Sequence, residues 1–287
     1  MMHLIVRACA VTILGLGMVP TVWSQGYGGT QQLDPPGAQA PAQPGTPAAP
    51  AAPAAPAVSR EELDAYNKFV VDAKTATDSR QMVTLGEAFV GLYPNSMFAG
   101  AVHAQLASAY LGVNQVDKMI ESGEKALAAN PNNVDILPLM AWAIPRRVNS
   151  TTPNAVQQLE KAVNYARRGI NLLSTMPKPV EMDDAAFAKI KNDKLAQCRS
   201  GLGTAYVKTG KYDEAVTELS QAVRLDSAPD PVDYYLLGVA NDRTSHFTDA
   251  IASFDKCAAV AGAMQAQCRT LSAETKRKAQ NSLEAPR

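Results

Sequence analysis

Residues 196–227 read AQCRSGLGTAYVKTGKYDEAVTELSQAVRLDS, and this stretch decides the fold. Leu202 and Tyr206 are four apart and share one helical face, while Ala215, Leu219 and Ala222 form an answering stripe at helical spacing. Gly210 stands between the two stripes, where a helix end favours left-handed backbone. The stretch therefore reads as two antiparallel helices that come closest at Gly203 and Ala215, because a larger side chain there would push the axes beyond about 8 Å. The pattern returns 35 residues later as Leu237-Gly238, Ser245, Phe247, Ala250, Phe254 and Cys257. An earlier copy over 100–131 places Leu106-Ala107, Tyr110, Ala126-Leu127 and Pro131 at equivalent positions.

These residues resemble the tetratricopeptide repeat, a helix-turn-helix unit of about 34 residues with small residues where its helices touch. The resemblance implies an all-α, right-handed solenoid of antiparallel helix pairs in which each pair buries its apolar face against a neighbour. More divergent units complete the array. Val134 to Val148 and Pro153 to Ser174 read as one pair, joined by a longer loop over 146–152, with Thr152 or Asn154 as the cap of the second helix. Asp183 or Asp184 opens a long first helix that runs into Lys208. Arg60 to Ala76 and Ser79 to Leu92 form an opening pair, and a polar helix from Gln265 to Leu283, basic at Lys276-Arg277-Lys278, closes the array as a capping helix.

Composition agrees with helix-on-helix packing: 46% of residues are apolar but only 6% aromatic. Lys plus Arg number 27 against 27 Asp plus Glu, and the zero net charge excludes the basic footprint of a nucleic-acid binder. Proline recurs at every third position from Pro41 to Pro56, which removes backbone donors and excludes a helix over Pro35 to Ala57. Polyproline II is expected there, at about 3.1 Å per residue, as a passive spacer or a motif for a proline-reading domain.

At the N-terminus, Arg7 precedes an apolar run from Ala8 to Trp23, and Val22-Trp23-Ser24 offers a cleavage site before Gln25. This is the plan of a secretory signal. The run is short of the roughly 20 residues that span a bilayer, so cleavage is favoured over a retained signal anchor, the one membrane attachment expected. Cys9 sits at the start of the apolar run, whereas a lipoprotein cysteine follows it. The expected organisation is a signal peptide over 1–24, a Pro/Ala-rich disordered linker over 25–57 and a repeat domain over 58–287. An exported protein of the periplasm or bacterial cell envelope follows. Cys198, Cys257 and Cys268 remain after cleavage. Cys257 and Cys268 either pair across a helix turn or sit as two small buried residues in an alanine-rich core, and Cys198 is then a free buried thiol.

No pattern forces a catalytic reading. His103 and His246 lack metal-ligand spacing, there is no nucleophile elbow or phosphate loop, and the acidic pairs Asp183-Asp184 and Asp213-Glu214 fall in first helical turns, where the helix dipole favours them. No enzyme activity, cofactor or metal is expected. The resemblance implies instead a concave surface for a protein or peptide partner, lined by the first helix of each pair. Carried over position by position, that surface holds Gln105 and Ser108, then Asp135, Trp142 and Arg146, then Gln197, Thr204 and Lys208, then Tyr235 and Asp242. The Lys and Asn clamp with which some members of the family hold a C-terminal carboxylate has no counterpart here. Trp142 and Tyr235 are of the types that anchor interfaces, although Trp142 also reads as core beside the inserted loop.

Overall fold

The structure, a computed structural model, describes residues 58–284. The signal peptide and linker expected over 1–57 lie outside the described residues. Eleven helices and no strands are found among those described: α1 (Arg60–Thr75), α2 (Ser79–Leu92), α3 (Ala99–Gly112), α4 (Val116–Ala129), α5 (Ile136–Arg147), α6 (Ala155–Ser174), α7 (Asp184–Lys208), α8 (Tyr212–Leu225), α9 (Pro231–Arg243), α10 (Phe247–Ala259) and α11 (Gln265–Glu284). They pair in chain order and stack as a solenoid, each second helix packing on the first helix of the next pair.

Local sequence explains the boundaries. Side chains of Ser59, Asp78, Asp183 and Asp230 accept hydrogen bonds from backbone N–H groups in the first turns of α1, α2, α7 and α9. Pro231 follows as the first residue of α9, where its missing N–H costs nothing. Thr152 and Asn154 do not act as expected. Asn154 precedes α6 in the left-handed region without a capping bond, and the Thr152 hydroxyl accepts instead from the Asn149 N–H at 2.9 Å.

One turn recurs within three pairs. Asn114, Gly210 and Ser245 take φ of 59°, 75° and 63°, and the next N–H bonds back to the carbonyl of Tyr110, Tyr206 and Asn241 at 2.8, 2.9 and 2.8 Å. Glycine adopts this backbone freely, whereas asparagine and serine adopt it at a cost.

The core is aliphatic and alanine-rich from α3 onward, with Leu106, Met119, Met140, Leu173, Leu219 and Phe254 buried. Aromatic rings gather at the opening pair, where Tyr66 stacks on Phe98 at 4.2 Å and Phe89 packs against Phe69 and Tyr93. Small residues admit the close crossings, with one correction. Gly203 faces Leu219 rather than Ala215: a Cβ added at 203 would stand 2.4 Å from Leu219 Cγ. One repeat later Gly238 stands in the same relation to Phe254.

The tightest approach to a backbone atom joins α5 to α7. Pro145 lies inside α5 and has no N–H to give the Ala141 carbonyl, and α7 presses Gly201 against that carbonyl, where a Cβ would stand 2.2 Å from Ala141 O. At the other end, α11 packs on α10, and its Gln267, Thr275 and Lys278 side chains reach Tyr235 and Asp242 of α9. Cys257 of α10 and Cys268 of α11 are joined by a disulfide with Cα atoms 5.9 Å apart. Cys198 is free and fully buried.

Candidate functional site

The first helices of successive pairs meet around Arg146, near the end of α5. Its guanidinium lies 4.6 Å from the Trp142 ring, one turn earlier on α5. One nitrogen donates to the Trp142 carbonyl at 3.2 Å, and the other reaches Ser200 Oγ on α7 at 3.0 Å and Asp233 Oδ1 on α9 at 2.8 Å. The Ser200 hydroxyl donates to the same Asp233 oxygen at 2.6 Å, and Asp230 stands 3.8 Å from the guanidinium. Arg146 is 16% exposed and Asp233 7%. Burial pushes the Asp233 carboxyl above its ordinary range despite the opposing pull of Arg146 and Ser200. Lys208 ends α7 beside this cluster and donates to the Val148 carbonyl at 2.6 Å; burial, and then the Arg146 charge, hold its ammonium below the usual lysine range.

The ten residues expected on the concave surface divide into three groups. Gln105 and Ser108 are exposed on α3, and Gln197 is half-buried on α7. Asp135 is exposed and ion-paired with Lys194, while half-buried Trp142, with Arg146 and Lys208, belongs to the cluster just described. The remaining three are corrected by the structure. Thr204 is buried, its hydroxyl donating to the Ser200 carbonyl at 2.8 Å, because α7 packs between its neighbours at that position. Tyr235 and Asp242 turn towards the capping helix. Tyr235 Oη accepts from Gln267 at 3.3 Å, and Asp242 accepts from Thr275 and Lys278 at 3.2 and 2.5 Å. The reason is that α11 packs on α10 in the place that a further first helix would fill.

Asp233 is the site residue that sequence reading missed. An acidic residue in the first turn of α9 is explained by the helix dipole alone, and its partners lie 33 and 87 residues away. His103 is half-buried on α3 with Nδ1 lacking a hydrogen-bond partner, and burial holds its pKa below the ordinary range. His246 precedes α10 in a turn, with Nδ1 3.0 Å from the Thr244 hydroxyl. Among the described residues no group of three or more His, Cys, Asp or Glu side chains is placed to hold a metal ion, and no helix is long and apolar enough to cross a membrane.

Residues 196–229 match the family model of the tetratricopeptide repeat. No curated protein matches the sequence. Solved structures similar in fold include MamA from Desulfovibrio magneticus, 15% identical over 70% of this chain and 95% of that chain with a TM-score of 0.45. PilW, described as a widely conserved type IV pilus biogenesis factor, is 16% identical over 79% of this chain and 90% of its own, with a TM-score of 0.48. YrrB, described as a tetratricopeptide-repeat protein with an unusual peptide-binding site, is 16% identical over 76% and 94% of the two chains, also at 0.48. Residues 196–229 thus carry a tetratricopeptide repeat, and further antiparallel helix pairs stack on both sides of it.

Proposed function

We propose that this protein is a noncatalytic interaction scaffold of the bacterial cell envelope that takes a peptide or protein segment on the concave face of its solenoid. The observation that carries the reading is Trp142 on α5, half-buried beside Arg146, with Gln105 and Ser108 exposed on the first helix of the preceding pair. There a half-buried indole is held in one orientation by the guanidinium stacked on it, so an aromatic anchor is ordered before any partner arrives. Placement in the envelope is supported by the N-terminal apolar segment with its cleavage site and by a cysteine pair suited to an oxidising compartment.

The test is crosslinking capture from native envelope fractions with the full chain as bait and Gln105→Ala/Trp142→Ala as the control. A discrete partner lost in the double variant is expected. Partners kept in full by it would refute the concave-face assignment and favour a structural or assembly subunit acting through its convex face or linker.

A further inference from the structure

The solenoid repeats one junction four times: the start of a pair's second helix lies beside the end of the next pair's first helix. Three of these junctions are closed. Between α2 and α3, Ser79 packs so tightly on Gly112 that a Cβ there would stand 2.1 Å from Ser79 Oγ. Between α4 and α5, Arg147 grips Asp117 with both carboxylate oxygens engaged, at 2.7 and 2.9 Å. Between α8 and α9, the Arg243 guanidinium covers the Tyr212 ring at 5.9 Å.

The fourth junction, between α6 and α7, is open. Lys208, the last residue of α7, turns away to the Val148 carbonyl, and a cavity of about 340 Å³ remains, floored by Leu159, Val163 and Ala205. Val156 on its wall is 63% exposed. Donors gather round Tyr206 at one side. Arg167 donates to the Tyr206 oxygen at 3.0 Å, leaving the phenol's own O–H to be given, and Lys211 lies 6.0 Å from the ring. Neither cation has a carboxylate partner among the described residues, although each of the other junctions with a cation uses it to close the gap. Glu160 also lines the cavity, so the charges there are two positive and one negative.

We propose that this open junction is a docking pocket for an acidic, apolar peptide segment of a partner protein: an aliphatic side chain fills the cavity beside Val156, and a neighbouring carboxylate accepts from Arg167, Lys211 and the Tyr206 hydroxyl. Charge complementarity selects the carboxylate, since a guanidinium and an ammonium form charge-assisted hydrogen bonds with it that an amide does not match. The cavity is large enough for one branched aliphatic side chain and its neighbours, and burying such a chain against Leu159 and Val163 supplies the apolar part of the affinity. The pocket's lining shares no residue with Trp142, Gln105 or Ser108, so it stands or falls independently of the concave-face reading.

The test is a methyl NMR titration of the full chain with acetyl-Glu-Leu-Asp-Leu-amide and, in parallel, with its uncharged counterpart acetyl-Gln-Leu-Asn-Leu-amide. The acidic peptide is expected to shift the methyls of Val156, Leu159 and Val163, and the uncharged one to bind about tenfold more weakly. Arg167→Glu/Lys211→Glu should abolish the shifts, Glu160→Gln should strengthen them, and Trp142→Ala should leave them unchanged. Each substituted pocket position is exposed, so these variants are expected to fold, which far-UV circular dichroism checks. Equal binding of the two peptides, binding that survives the double charge reversal, shifts confined to the concave face, or no shifts at millimolar peptide would each overturn the proposal.

Discussion

The contact between Gly201 and the Ala141 carbonyl allows a prediction whose size follows from geometry. In Gly201→Ala the new methyl would stand 2.2 Å from Ala141 O, 2.5 Å from Ala141 C and 3.0 Å from Trp142 N, whereas ordinary contact begins at 3.4 Å. All three atoms are backbone and cannot turn aside, so α5 and α7 must separate by roughly 1 Å, and a gap of that size forfeits a quarter to a half of the dispersion energy across the crossing. The overpacking cost is about 3 kcal/mol, offset by about 1 kcal/mol of helix propensity, for a net loss of about 2 kcal/mol. Two companion variants separate packing from propensity. In Gly203→Ala the methyl meets Leu219 side-chain atoms at 2.4 and 2.7 Å, which can move, so the expected net loss is smaller, about 1 kcal/mol. In Gly91→Ala nothing lies within 4 Å, and a gain of about 0.5–1 kcal/mol is expected. Urea unfolding followed by far-UV circular dichroism ranks the three by midpoint. A Gly201→Ala protein as stable as the parent, or more stable than Gly203→Ala, would refute the reasoning.

Ser245 occupies left-handed backbone that Gly210 takes freely one repeat earlier, so Ser245→Gly should stabilise by about 0.5–1 kcal/mol in the same assay, and a loss would contradict the turn geometry. Arg146→Ala leaves Asp233 buried without its counter-ion and should cost about 3–5 kcal/mol, most of which Arg146→Met combined with Asp233→Leu should recover. Because burial raises the Asp233 pKa from 3.8, its contribution to stability is present below that value and is lost as pH rises through the folded-state pKa. Asp233→Asn should therefore gain on the parent from just below pH 4 upward, and unfolding curves showing the opposite trend would overturn the assignment. Burial pushes the Cys198 thiol up to about 12, so iodoacetamide at pH 8 should modify it only after unfolding, as mass spectrometry would show; rapid native labelling would contradict its burial. Peptide mapping without reduction should find Cys257 linked to Cys268, and free thiols at both positions in protein purified without reductant would refute the pairing.

Much of this architecture was legible because its decisive contacts are local and repeated. Leu202, Tyr206, Leu219 and their counterparts in the next unit lie one helical turn or one repeat apart, so spacing places the pairs and the left-handed turn at Gly210. The partner that each small residue admits was less legible. Gly203 and Ala215 were both readable as small, yet the atom that needs the space belongs to Leu219, one turn further on, a matter of side-chain direction rather than of spacing. The candidate site was read least completely. Gln105 and Ser108 lie exposed, Thr204 is buried, and Tyr235 and Asp242 are engaged by α11. Asp233 had no local signature beyond its place in a first turn. An arginine at Arg146 without a nearby carboxylate was the one available hint.

The bond from Arg146 to Asp233 also changes how the array behaves as a whole. Stacked repeats ordinarily hold only their immediate neighbours, and their stability then divides into independent units that can be lost singly from either end. Here a side chain of α5 bonds to α9 across an intervening pair, closing 87 residues of chain. Removal of α9 and everything after it would strip the guanidinium of its carboxylate and expose the surface of α7 at once. The middle of the array should consequently melt as one cooperative block, and a nascent chain should leave this block unfinished until Asp233 has been synthesised.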